Sequence, residues 1–163
     1  MGFSGYLASV ISGAEAASQK RETTTIEHEG AKQHTREEKN MSSETSKLES
    51  ELNEMTAKGK NLDALARYYA EDCTFEEGDG SKRTNRKAQH DHLSRFFASL
   101  KKFNDATLHG QATGDDVSMS EWTFDMTGGD GKPIVWNEVL VRRWKGDQVI
   151  AERFYTAQSQ SPR

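Results

Sequence analysis

The chain has 163 residues, a net charge of −4 at neutral pH and a single cysteine. This length suits one domain with a moderate core. The mild acidity argues against a nucleic-acid partner, because general nucleic-acid binders carry a basic excess. One cysteine cannot form an internal disulfide or a cysteine-rich zinc site, so we expect a reducing, cytoplasmic location. No apolar run is long enough to span a membrane, and no membrane partner is expected.

Residues 1–42 are predicted to form a disordered polar leader. Between Ser12 and Lys47 the only large apolar residues are Ile26 and Met41. Such a segment cannot bury enough surface to offset the entropy of ordering its backbone. The folded domain is therefore expected over residues 43–158, and residues 159–163 are expected to form a flexible tail.

Two helices and a strand are predicted at the start of the folded domain. The first helix is expected to begin at Ser46, because Ser46 and Glu49 match the spacing of a capping box, and to end near Gly59. The apolar stripe of this helix is Leu48, Leu52 and Met55. A second helix follows Asn61, which is expected to be its N-cap, and continues to an acidic corner at Glu71.

A strand is predicted directly after this corner, with Cys73, Phe75 and Glu77 on one face. Glu77 would then be a lone carboxylate on an apolar face. Such a group is either part of a functional site or a structural group paired with a base such as Arg83 or Arg86.

A third helix is predicted over Arg86–Lys101, where Leu93, Phe96, Phe97 and Leu100 recur at helical spacing. Turns rich in Gly and Asp then separate four further strands. These strands are predicted at Ala106–Thr113, Val117–Thr127, Ile134–Trp144 and Gln148–Gln158. Helices that precede a run of hairpins indicate an α+β fold, in which the helices cover one face of a curved antiparallel sheet.

Several passages of the folded domain occur in an order that resembles the nuclear transport factor 2-like superfamily, and its SnoaL-like branch in particular. These passages are Leu62–Glu77, Glu121-Trp122, Trp136–Trp144, Gly146–Ile150 and Glu152–Tyr155. The resemblance implies a cone-shaped, strongly curved antiparallel sheet packed on three N-terminal helices, with an apolar pocket inside. It also implies a homodimer and a small apolar or aromatic ligand. Superfamily members include ketosteroid isomerases, polyketide cyclases, limonene epoxide hydrolase and proteins that only bind or dimerise.

Five residues are the candidates for a site in such a pocket. Glu77 falls where the steroid isomerases carry their general base, so it is the expected proton carrier, assisted by His109 or Glu138. Trp122 and Tyr155 are expected to shape the pocket. The alternatives are that His109 is only a hydrogen-bonded wall residue and that the aromatic residues form core or a dimer face.

Glu138 and Arg142 share one face of their predicted strand and could form an ion pair. His90 and His92 resemble a metal-binding pair, but two positions apart on a helix they point in different directions. No metal site is expected.

Two functions remain open from the sequence. The first is an isomerase, cyclase or hydrolase that uses a pocket carboxylate and needs no cofactor. The second is a non-catalytic ligand-binding or dimerisation domain. An open cavity with converging polar groups would favour the first, and an interior filled by Trp122, Trp136 and Phe97 would favour the second. Dimerisation through the outer face of the sheet is expected in both cases.

Overall fold

The computed structural model describes residues 44–157, which form three helices and a six-stranded sheet. The helices are α1 (44–57), α2 (Asn61–Tyr68) and α3 (Arg86–Ser99). The strands are β1 (Tyr69–Glu76), β2 (Lys82–Arg83), β3 (Leu100–Thr113), β4 (Val117–Gly128), β5 (Pro133–Lys145) and β6 (Gln148–Ala157). The predicted leader and tail lie outside the described residues. None of the described helices is long and apolar enough to cross a membrane.

The sheet is curved and open, with the strand order β2-β1-β6-β5-β4-β3. The predicted α+β class, with helices on a curved sheet, is confirmed. The expectation of a wholly antiparallel sheet is wrong in one place, because β1 pairs in parallel with β6. The strand β2 pairs with the end of β1 through Phe75 and Arg83.

The starts of α1 and α2 both differ from the prediction. Ser46 is already inside α1, where its carbonyl accepts from the Ser50 hydroxyl, so it is not the N-cap residue. Asn61 is the first residue of α2, and the N-cap position belongs to Lys60, which makes no side-chain cap. The reason is a tight connection: Gly59 adopts a positive φ of 69°, and the Lys60 amide still donates to the Met55 carbonyl of α1.

The strand β1 begins at Tyr69, earlier than predicted, and buries Cys73 and Phe75 on its inner face as predicted. Burial raises the pKa of the Cys73 thiol to about 12, so this cysteine remains a thiol at neutral pH. Glu77 lies one residue beyond β1, in the turn whose Gly80 has a positive φ of 84°.

The inner face of the sheet carries alternate residues of β4 and β5, as the predicted strand period requires. Two apolar clusters form the core. One joins Leu52, Leu65, Tyr69, Phe75, Trp144 and Val149, and the other joins Ala106, Trp122, Phe124, Met126 and Leu140. The apolar area removed from water by these side chains is the main favourable contribution to folding.

The buried face of α1 is largely polar. Its buried residues are Thr45, Glu49, Leu52, Asn53 and Thr56, and Glu49 is 0% exposed. The Glu49 carboxylate accepts from Arg142 Nη1 at 2.6 Å and from the Ser118 hydroxyl at 2.7 Å. The predicted capping role of Glu49 is therefore wrong, since its carboxylate binds the inner face of the sheet instead.

Arg142 is the centre of this buried polar region and is 1% exposed. Its Nε donates to Glu152 Oε1 at 2.8 Å and to the Tyr69 hydroxyl at 3.1 Å. Besides its bond to Glu49, its Nη1 donates to Asn53 Oδ1 and to the Ser120 hydroxyl, both at 3.1 Å. We refer to Arg142, Glu49, Glu152, Tyr69, Asn53 and Ser120 as the arginine cluster.

The arginine cluster predicts a large stability cost for Arg142→Met. The substitution would leave the Glu49 and Glu152 carboxylates buried without a cation, and breaking such a pair costs about 3–5 kcal/mol. Urea denaturation followed by circular dichroism would measure the change. The matched control is Arg143→Met, since Arg143 is the next residue on β5 and is exposed. Equal stability of the two variants would contradict the structural role of the cluster.

Candidate functional site

A cavity of about 920 Å³ lies between the helices and the inner face of the sheet. Its apolar wall includes Leu93, Phe96 and Phe97 from α3, Phe124 and Trp136 from the sheet, and Phe154 from β6. Phe96 stacks on Trp136 with ring centroids 5.0 Å apart. Aromatic side chains that line a cavity suit a flat apolar ligand.

Polar side chains border the cavity at two ends. The partly exposed end carries Glu77, Arg83, Gln89 and His92, from the β1–β2 turn, β2 and α3. The buried end carries Tyr69, Arg142 and Glu152, which belong to the arginine cluster. Burial raises the pKa of Glu152, and the neighbouring Arg142 and Tyr69 offset part of that rise.

Glu138 is the carboxylate on the sheet wall of the cavity. It lies on β5 between Trp136 and Leu140 on the same face, and opposite Trp122 and Thr156 of the neighbouring strands. The Thr156 hydroxyl donates to Glu138 Oε1 at 2.7 Å.

Removal of water by these neighbours raises the pKa of Glu138 to about 7. The hydrogen bond from Thr156 opposes this rise, and the negative charges of Glu152 and Glu77 add to it. A carboxyl group with this pKa is partly ionised at neutral pH and can both accept and donate a proton.

The expected pairing of Glu138 with Arg142 is absent. Arg142 reaches away from Glu138 to Glu49 and Glu152, with Leu140 between the two positions on β5. Glu138 therefore has no cation in contact with it, and the more distant charge of Arg142 does not cancel the rise in its pKa that burial causes.

Glu77 borders the cavity but is neutralised by an ion pair. Its carboxylate accepts from Arg83 Nη2, and Arg83 Nε donates to Gln89 Oε1. The paired arrangement with Arg83 was one of the two alternatives that the sequence left open. The side chain of Glu77 is 29% exposed, so it lies at the solvent end of the cavity.

The other three predicted site residues occupy different places. His109 is exposed, does not line the cavity, and shares a hydrogen bond of 2.8 Å with the Thr123 hydroxyl. Trp122 is fully buried in the core behind the cavity wall, stacked on Phe124 with centroids 5.6 Å apart. Tyr155 lies at the rim of the cavity, but it pairs with Val139 on the outer face of the sheet and is 51% exposed, so its predicted role in shaping the pocket is not met.

The sequence reasoning missed His92 and the arginine cluster. His92 and His90 do point in different directions, as expected, but only His92 borders the cavity. Burial and the nearby charge of Arg83 lower the pKa of His92, so it is neutral at pH 7. Among residues 44–157 no group of three or more His, Cys, Asp or Glu side chains could hold a metal ion.

The raised pKa of Glu138 predicts a pH dependence of stability. The folded protein keeps the Glu138 proton up to about pH 7, while the unfolded chain releases it near pH 4.5. Glu138 therefore lowers the free energy of unfolding as the pH rises from about 4.5 to 7. Glu138→Gln removes this loss and should be more stable than the wild type by about 3 kcal/mol at pH 8.

Thermal unfolding of both proteins between pH 4 and pH 8 would check this. The control is Glu121→Gln, because Glu121 is an exposed carboxylate on the opposite face of the sheet. A difference between wild type and Glu138→Gln that stays constant over this pH range would show that Glu138 titrates normally.

Comparisons with known proteins agree with this architecture. A family profile described as SnoaL-like domain matches residues 50–152. No curated protein sequence matches the chain significantly.

Solved structures share the fold at low sequence identity. A candidate SnoaL-like polyketide cyclase from Mesorhizobium loti is 20% identical, with a TM-score of 0.60 over 68% of this chain and 97% of its own. The protein Bal32a from a soil-derived mobile gene cassette is 15% identical, with a TM-score of 0.62 over 72% and 92%. A hypothetical protein with a ketosteroid isomerase-like fold from Catenulispora acidiphila is 19% identical, with a TM-score of 0.56 over 64% and 82%. This chain belongs to the SnoaL-like domain family, and it shares its fold with structures described as ntf2-like.

Proposed function

We propose that this protein binds a flat apolar small molecule in the cavity and catalyses proton transfer on it, as an isomerase, cyclase or hydrolase. The observation that carries the proposal is Glu138, a carboxyl group with a pKa of about 7 on an apolar cavity wall. The family also supports it, since related structures carry the names of a candidate polyketide cyclase and a candidate isomerase. The proposal includes no metal or organic cofactor. A reducing cytoplasm remains our prediction for its location.

In this proposal Glu138 moves the proton, a role that the sequence alone suggested for Glu77. The ion pair with Arg83 holds the Glu77 charge at the solvent end, so Glu77 is better suited to orienting a polar group of the ligand. His92 is a second proton acceptor at that end. His109 is left out of the mechanism, because its side chain lies outside the cavity.

Glu138→Gln is the decisive variant, since it preserves shape and removes the titrating proton. Exchange of the acidic C–H hydrogens of 2-tetralone, an enolisable bicyclic ketone, can be followed by NMR in deuterated buffer, alongside turnover of aryl epoxides. We expect kcat/KM to fall at least about 100-fold, the range that general acid–base catalysis contributes, with little change in KM. In the wild type the rate should rise with pH through about 7 if Glu138 acts as a base.

Two further variants make this test specific. Glu77→Gln should raise KM more than it lowers kcat, and the exposed control Glu121→Gln should match the wild type. Turnover of an identified substrate that is unchanged in Glu138→Gln would remove Glu138 from the mechanism.

A second function, association through the outer face of the sheet, has its own supporting observation. Met119 and Tyr155 are 46% and 51% exposed, and β5 carries Val139 and Val141 between them. Met119 pairs with Val141, and Val139 pairs with Tyr155, so these four residues form a continuous apolar patch across three strands. Patches of this kind on soluble proteins mark interaction surfaces.

A homodimer formed by this patch predicts that charges placed in it separate the subunits. The double variant Met119→Glu and Val139→Glu adds two carboxylates beside Glu121 and should sediment as a monomer where the wild type sediments as a dimer. The control is Lys145→Glu, at the exposed end of β5 away from the patch. A wild-type protein that stays monomeric at high concentration in sedimentation velocity would contradict the dimer.

A further inference from the structure

One nitrogen of the buried Arg142 guanidinium has no hydrogen-bond acceptor within the described chain. The Nε and Nη1 atoms of Arg142 make the five hydrogen bonds of the arginine cluster. The Nη2 atom, which carries two N–H donors, donates to no atom of residues 44–157. An unused donor on a buried cation is costly unless something accepts from it.

The surroundings of Arg142 indicate where this nitrogen points. Within the described part of the chain, the only side-chain nitrogen or oxygen that is both sealed from solvent and without a partner is Trp122 Nε1. Nη2 is therefore not sealed in the core, although Arg142 as a whole is 1% exposed. Arg142 borders the cavity, so the open space that Nη2 reaches is the buried end of that cavity.

We propose that Arg142 Nη2 binds a neutral acceptor oxygen of the ligand, a ketone or similar carbonyl, and thereby fixes which end of the ligand enters first. This inference deepens the proposed function and rests on it for the identity of the site. It assigns Arg142 a positioning role toward the ligand in addition to its role in the core.

The charges around the cavity favour a neutral oxygen over an anion. The single positive charge of Arg142 already faces two carboxylates, Glu49 and Glu152, at 2.6 and 2.8 Å. Glu138 adds a third carboxyl group on the same face of the sheet. An anionic ligand would meet this excess of negative charge, whereas a carbonyl oxygen needs only a hydrogen-bond donor.

The spacing along β5 sets the size of the ligand. Glu138 and Arg142 lie four residues apart on one strand, so their Cα atoms are separated by about 13 Å. Leu140 lies between them on the same face, and the aromatic wall lies opposite. The ligand class that fits is an apolar ketone of two or three fused rings, with its oxygen at the buried end and its reacting carbon toward Glu138.

The test compares three probes that share one ring skeleton, 9-fluorenone, fluorene and fluorene-9-carboxylate. Dissociation constants would be measured for the wild-type full chain by fluorescence quenching of its tryptophans. We expect fluorenone to bind at least fivefold more tightly than either of the others. The infrared C=O stretch of bound fluorenone should also lie below its frequency in hexane, as a hydrogen bond from a guanidinium requires.

Arg142→Lys then assigns the effect to Nη2, because lysine keeps the charge between the two carboxylates and removes the forked donor. The variant should lose both the preference for fluorenone and the infrared shift, while the exposed control Arg143→Lys keeps both. If Arg142→Lys does not fold, the affinity ratio and the infrared shift of the wild type still decide. Equal affinities, tighter binding of the carboxylate, an unshifted C=O stretch, or no binding of fluorenone at its solubility limit would each overturn the proposal.

The outcome can be separated from that of the proposed function. Glu138→Gln is expected to retain the fluorenone preference, because the contact with Nη2 does not involve Glu138. A retained preference without any turnover would leave Arg142 as a ligand-binding residue in a non-catalytic domain. Turnover that depends on Glu138 with no fluorenone preference would retain the proposed function and remove this inference.

Discussion

The structure depends on one buried cation. Taking the Arg142 guanidinium and its two carboxylates out of water costs several kcal/mol per ion, and close ion pairs with additional hydrogen bonds are needed to offset that cost. The cluster draws on five elements, with Glu49 and Asn53 on α1, Tyr69 at the start of β1, Ser120 on β4, Arg142 on β5 and Glu152 on β6. The position of α1 against the inner face of the sheet is therefore fixed by hydrogen-bond geometry as well as by apolar packing.

The same cluster forms one end of the cavity, which is lined there by Tyr69, Arg142 and Glu152. The negative charge of Glu152 also contributes to the raised pKa of Glu138 along the wall. The structural cluster and the candidate proton carrier thus belong to one electrostatic system.

Much of the fold can be predicted from the spacing of apolar residues within single helices and strands. The apolar spacing of α3 and the alternation of β4 and β5 predicted those elements and their inner faces, because each pattern depends only on the local period. The arginine cluster could not be found in this way. Thr45, Glu49 and Asn53 recur every four residues, which is the pattern of a solvent-facing stripe, and the partner that makes it a core face is 93 residues from Glu49.

The candidate site was predictable in type but not in detail. A carboxylate on an apolar strand face was expected, and Glu138 was among the named candidates. The alternation of side chains along the predicted strand put Glu77 on its inner face. Glu77 instead lies beyond the end of β1, where the turn brings Arg83 of β2 into contact with it. His109 faces outward by the ordinary alternation of β3, because the preceding Leu108 pairs with Trp122 on the inner face. The turn that brings Arg83 to Glu77 has no signature in the local period of β1.

The parallel pairing of β1 with β6 has a consequence for how the chain reaches its native state. Tyr69 and Val149 are neighbours in the sheet but lie at opposite ends of the domain's sequence, and β1 has no other long partner. During synthesis, the helices and the strands β1 to β5 leave the ribosome before β6, the partner of β1, has been made. Contacts of such sequence separation slow folding, and they leave apolar strand edges uncovered until late. We therefore expect the domain to acquire its structure only after β6 has left the ribosome, in one cooperative step.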